Sequence, residues 1–124
     1  MRFARWVFAI AGIYGLVVMA PFYFMEEQIG RDNPPPITHP EFFYGFVGVA
    51  LAWQIAFLVI ALDPVRYRLF MIPAVLEKAS FAIAVPILFA HGQAREMVLA
   101  FSLIDALLGV LFAISFCLTA KRAQ

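Results

Sequence analysis

One cysteine, two histidines and a 14% share of charged residues are all that this chain of 124 residues offers toward the commoner kinds of protein chemistry. The lone Cys117 forms no internal disulfide, and a single thiol supplies neither a CxxC redox pair nor a metal site. It reads as a buried, inert side chain. The net charge of +1 provides no basic field, which removes nucleic acid from the candidate partners. No nucleophile and base stand at a recognisable catalytic spacing, so the expectation is a protein that is not an enzyme and uses neither cofactor nor metal.

What the chain has in quantity is apolar surface. It is 65% hydrophobic with a mean hydropathy of +0.91, whereas soluble domains are about 45–50% apolar and about 25% charged. Four apolar runs, at residues 6–25, 42–62, 69–90 and 97–118, account for most of the length. Each is near the roughly 20 residues that a helix needs to cross about 30 Å of hydrocarbon. The runs are continuous and do not alternate, which favours helices over barrel strands, since a helix satisfies its backbone within one segment. The expected fold is therefore all-α: an integral membrane four-helix bundle of antiparallel hairpins, a single domain over residues 1–124.

Arg2 and Arg5 precede a stretch that could pass for a signal peptide, with Val18 and Ala20 placed like a cleavage site. Pro21 would follow the cut and the apolar run continues to Met25, so an uncleaved first helix is expected. Residues 26–40 are polar and hold Pro34, Pro35 and Pro36, a pattern that favours extended polyproline without a helix. This loop brings His39 and Glu41 to the same side of the membrane as His91, an outer-face candidate site. Two histidines so far apart set no ligand spacing, and a solvated acidic loop is the preferred reading. In the second span Gly45, Gly48, Ala52 and Ala56 have the spacing that lets a neighbouring helix approach closely. Arg2, Arg5, Arg66, Arg68, Lys121 and Arg122 fall on one side of the spans and Arg31 and Arg95 on the other, which places both termini in the cytoplasm.

The third run is interrupted near its middle by Glu77 and Lys78. A charge at the bilayer centre costs about 2.5–3.5 kcal/mol on insertion scales, so each must be paired, neutralised, hydrated or led to an interface. Depths follow from counting outward from each short turn at 1.5 Å per residue. A turn centred between Val65 and Arg66 sets Gln54 level with Glu77, with Tyr14 and Trp53 nearby, giving a mid-membrane layer of Tyr14, Trp53, Gln54, Glu77 and Lys78. Gln54 and Glu77 are expected to face inward and touch, directly or through one water. A turn centred between Gln93 and Ala94 sets Asp105 level with Ala82, whose carbonyl is freed by Pro86, so Asp105 is expected to approach that carbonyl. Lys78 lies about 6 Å deeper by the same rise. Its stem leans toward the cytoplasmic side, and a direct Lys78–Asp105 salt bridge is not favoured. Glu77 and Lys78, adjacent on the helix, are expected to face different partners.

Two functions fit these residues. The preferred one is a non-enzymatic bundle or accessory subunit, held together by a buried layer of Gln54, Glu77, Lys78 and Asp105. The alternative is a small oligomeric transporter or membrane enzyme that uses Glu77 and Asp105 for proton or cation coupling, or acts on a lipid-soluble substrate. A sealed layer would favour the first, and a cavity reaching Glu77 the second. Small multidrug transporters share this length and four spans but carry an essential carboxylate in their first helix, where this chain has Tyr14 and no acid. Four-span thiol-redox enzymes need a cysteine pair. In layout the chain resembles small bacterial four-helix membrane proteins. That resemblance implies a multi-pass protein of the cell (inner) membrane, partnered by the lipid bilayer and by further copies or another membrane protein.

Overall fold

The computed structural model describes residues 2–123, the side chains of residues 121–123 excepted. Those of Lys121 and Arg122, part of the cation count, lie outside the described ones. Regular structure among the described residues is all helical: α1 Arg2–Met19, α2 Glu26–Asp32, α3 Pro40–Leu62, α4 Met71–Ala90 and α5 Glu96–Ala123, with 3-10 turns at Ala20–Phe24 and Arg68–Phe70. Four stretches are long and apolar enough to cross a membrane: Arg2–Phe24, Pro40–Leu62, Arg68–Ala90 and Glu96–Ala120. Together they describe a multi-pass membrane protein. Their outward faces carry bare apolar side chains, among them Trp6, Val17, Phe24, Leu62 and Met97.

Proline and glycine set the breaks. Pro21 has no N–H and its ring crowds the preceding turn, so the first span gives up α-helical geometry at Ala20 and tightens into the 3-10 turn. Pro40 opens α3 at a position where a helix needs no N–H donor. Between α4 and α5, Gly92 adopts φ +73°. The Gly92 N–H donates to the Phe89 carbonyl and the Gln93 N–H to that of Leu88, closing the helix end in a conformation that glycine adopts without strain.

The loop before α3 corrects the sequence reading. Residues 26–32 are helical, with Glu26 and Glu27 in the first turn and Arg31 in the last, charges that complement the helix dipole. The three prolines follow α2 and fold back on it across Gly30, where an added Cβ would stand 3.1 Å from the Pro36 Cα. Two contacts tie this segment down. The Tyr44 hydroxyl donates to Glu26 Oε2 at 2.9 Å, and Arg95 donates to the Asp32 carbonyl.

In the packing, α1 lies along α3 and α4 along α5, and the two pairs are joined mainly by α1 against α5. The turn-linked pair α3 and α4 barely meet. At one end of the bundle the rings of Phe8 and Phe112 stack at 4.2 Å and Phe57 meets Phe112 edge-on at 4.9 Å. Around them Ala4, Ala11, Ile60, Met71 and Ala74 are buried. Arg68 fastens the α3–α4 turn to α5, donating from Nε to the Phe116 carbonyl at 3.0 Å with its guanidinium 3.7 Å over the Phe116 ring. The buried hydroxyls of Ser102, Ser115 and Thr119 donate to carbonyls one turn back in their own helix, so α5 brings no unmet hydroxyl into the bundle.

Close helix approach comes from α1, a second correction. A Cβ on Gly12 would stand 2.7 Å from Leu58 Cδ2 and 2.9 Å from the Gln54 carbonyl, and one on Gly15 would overlap the Gln54 side chain. Gly45 has nothing within 4 Å of an added Cβ and Gly48 meets the Tyr23 hydroxyl alone. Ala52 is exposed. Cys117 is also exposed, on the outer face of α5, contrary to the buried thiol expected.

Candidate functional site

Where α3 and α4 part, the bundle encloses a cleft of about 1030 Å³. All four long helices line it: Tyr14 and Gly15 from α1, Trp53 and Gln54 from α3, Glu77, Lys78 and Ser80 from α4, and Asp105 from α5. The remaining wall is apolar and rich in rings, with Phe46, Phe81 and Phe101. Phe46 and Val49 of α3 and Leu76, Ser80 and Ala84 of α4 are exposed as well as lining, so the cleft opens sideways between those two helices.

Lys78 sits at its inner edge, only 3% exposed. Its Nζ donates to Asp105 Oδ1 at 3.3 Å, lies 3.7 Å from Glu77 Oε2, and stands 5.2 Å from the Phe57 ring centroid. One ammonium thus meets two carboxylates and a ring face, and the ring bounds it on the side of the aromatic core. Room for the stem comes from Gly109, where an added Cβ would stand 3.3 Å from Lys78 Cβ.

This arrangement overturns three expectations. Lys78 pairs with Asp105, because the flexible lysine stem covers the axial offset that turn counting gave. Asp105 accordingly directs Oδ1 to Lys78 instead of the Ala82 carbonyl. Glu77 and Lys78, neighbours in sequence, also approach each other, since the ammonium reaches back past its own helix surface. Gln54 is buried, yet it makes no direct hydrogen bond with Glu77. Its Nε2 donates to the Ala50 carbonyl of its own helix at 2.8 Å, and its amide packs on the bare Cα of Gly15. Turn counting yields depth, and Gln54 faces α1 because α3 pairs with α1.

Two buried side-chain atoms among the described residues have no hydrogen-bond partner, Gln54 Oε1 and Glu77 Oε2, and both belong to residues lining the cleft. Each is an acceptor. Glu77 keeps 22% of its side chain exposed and Asp105 18%, so neither acid is fully enclosed. Sequence reasoning missed Phe57, Ser80 and Gly109. Of these only Gly109 carried a signal, an isolated glycine within an apolar run.

The outer-face residues form no such centre. His39 Nδ1 lies 3.3 Å from Glu41 Oε1 with both side chains well exposed. Among the described residues no group of three or more His, Cys, Asp or Glu could hold a metal ion, so His91 does not complete a site with them. No protein family, no curated protein and no solved structure matches this chain.

Proposed function

We propose that this multi-pass protein binds a lipid-soluble small molecule in the cleft between α3 and α4, with Glu77 and Asp105 supplying the polar contacts. The observation that carries this reading is that Glu77, Lys78 and Asp105, the charged residues in the middle of the spans, stand on the wall of a cavity of about 1030 Å³. Apolar pockets with a few convergent polar groups are the usual form of small-molecule sites. A bundle whose layer served cohesion alone would have no need of such a space. The Lys78–Asp105 pair does join α4 to α5, a cohesive role that coexists with binding.

The same reading takes the helices as antiparallel hairpins with cytoplasmic termini in the cell membrane. In support, contacts between the first two spans pair rising with falling numbers: Gly12 with Leu58, Tyr23 with Gly48, Glu26 with Tyr44. The cation count supports the orientation. A reporter fused after Gln124 should stay cytoplasmic and a tag near Pro35 should be accessible from outside, and an external C-terminus would overturn the orientation.

The binding reading is tested with Nile red, a neutral lipid-soluble dye, and the protein in lipid nanodiscs. With Trp6 replaced by Phe, Trp53 on the cleft wall becomes the only tryptophan. Saturable energy transfer from Trp53 to the dye is expected. Gly45→Phe should abolish it, because Gly45 lines the cleft and an added side chain there meets open space. Transfer that never saturates, or that Gly45→Phe leaves unchanged, rejects the reading.

A further inference from the structure

Among the residues lining the cleft Lys78 is the only base, set against the two acids Glu77 and Asp105. With all three ionised, the cleft carries one negative charge that the protein does not balance. Asp105 is the acid that holds the lysine, through a hydrogen bond of 3.3 Å. Glu77 lies 3.7 Å from the ammonium and makes no hydrogen bond through Oε2, so it is the acid left over.

The other polar groups lining the cleft with Glu77 do not supply the missing charge. From α1 comes Tyr14, a neutral phenol; from α3 come Trp53 and Gln54, both uncharged; from α5 comes Asp105, already negative. Gln54 supplies no positive charge either: it is 2% exposed, and its partnerless Oε1 lies against Gly15 of α1. An unbalanced carboxylate in apolar surroundings is costly, and the balance must come from a proton or from a cation that enters the cleft. Tyr14, Trp53, Phe46, Phe81 and Phe101 line the cleft, and the face of an aromatic ring attracts cations and repels anions.

Resting on the binding reading above, we propose that the cleft takes an amphiphilic monocation, its charge set against Glu77 and its apolar body among the rings, in exchange for a proton on that carboxyl group. No covalent step is involved. One proton leaves Glu77 as one cation binds, and the charge of the cleft is the same before and after.

The test compares two probes of nearly equal shape and opposite charge, tetraphenylphosphonium and tetraphenylborate, as competitors of Nile red in nanodiscs. Each is scaled by its measured content in protein-free nanodiscs. At pH 8 the phosphonium should displace the dye at a concentration at least about tenfold lower than the borate. Its own charge does not titrate, so weaker displacement on acidification reports the protein: affinity should fall by up to about tenfold per pH unit once the proton dominates. Nile red itself should be indifferent to pH. Glu77→Gln should lose both the cation preference and the pH dependence of displacement. Dye binding with equal competition by the two ions, or without pH dependence, overturns the cation assignment and leaves the binding reading standing; no saturable dye binding overturns both. Should Glu77→Gln fail to fold, the pH series on the unaltered protein decides.

Discussion

At one end of the bundle Phe8, Phe57 and Phe112 fill the space where the helices meet; at the other, Phe46, Phe81 and Phe101 stand around a space left open. The residue type is the same and the outcome is opposite. The difference lies in what the rings pack against. At the closed end Ala4, Ala11 and Ala74 bring the backbones near enough for three rings to occupy the whole interior, and Arg68 pins the turn to α5. At the open end α3 leans on α1 and α4 on α5, with little between α3 and α4. Aromatic content therefore does not by itself close a core, and the spacing of helix axes decides whether rings become filling or lining. The ion pair marks the boundary.

Substitutions can break this comparison, and the largest effect is expected at the boundary. Asp105→Ala leaves Lys78 buried without its hydrogen-bonded partner, and unfolding in detergent should show a loss of about 3 kcal/mol. Little change would mean that Lys78 finds Glu77 instead and that either acid can serve. Phe112→Ala empties the closed end and should cost about 2 kcal/mol, since the void and lost contacts remain while the transfer term shrinks where lipid is the alternative. Gly12→Ala should cost about 1–2 kcal/mol by forcing α1 off Leu58. Phe46→Ala at the open end should stay within about 0.5 kcal/mol yet weaken Nile red binding. A cost as large as that of Phe112→Ala would show that the open end is packed after all. Glu77→Gln, with no hydrogen bond to lose at Oε2, should also lie within about 0.5 kcal/mol.

The sequence made the four spans legible to within a few residues, because hydropathy and length suffice for that. It did not reveal which spans pair. A short turn between α3 and α4 predicts neighbours along their length, but Arg68 anchors the turn while the helices above it settle on α1 and α5. From that one misreading follows the direct Gln54–Glu77 hydrogen bond that does not form. The glycines that do allow close approach, Gly12 and Gly15, lie in the first span, three residues apart. The short helix α2 was hidden by the prolines after it, although Glu26, Glu27 and Arg31 already had the charge order of a helix. Lys78 and Asp105 were set apart by axial counting, which treats side chains as points and neglects the reach of a lysine.

The sideways opening between α3 and α4 bears on how any affinity for this protein must be expressed. A ligand that enters through that gap is drawn from the lipid, where its abundance is set by partitioning and not by its concentration in water. Dissociation constants referred to the aqueous phase would then drift with the ratio of lipid to protein, and two laboratories using different nanodiscs would disagree. Mole fraction in the bilayer is the scale on which the cleft has one affinity. On that scale, lengthening the alkyl chain of a ligand should leave binding nearly unchanged while the aqueous value improves, because the added methylenes are already out of water before the ligand arrives.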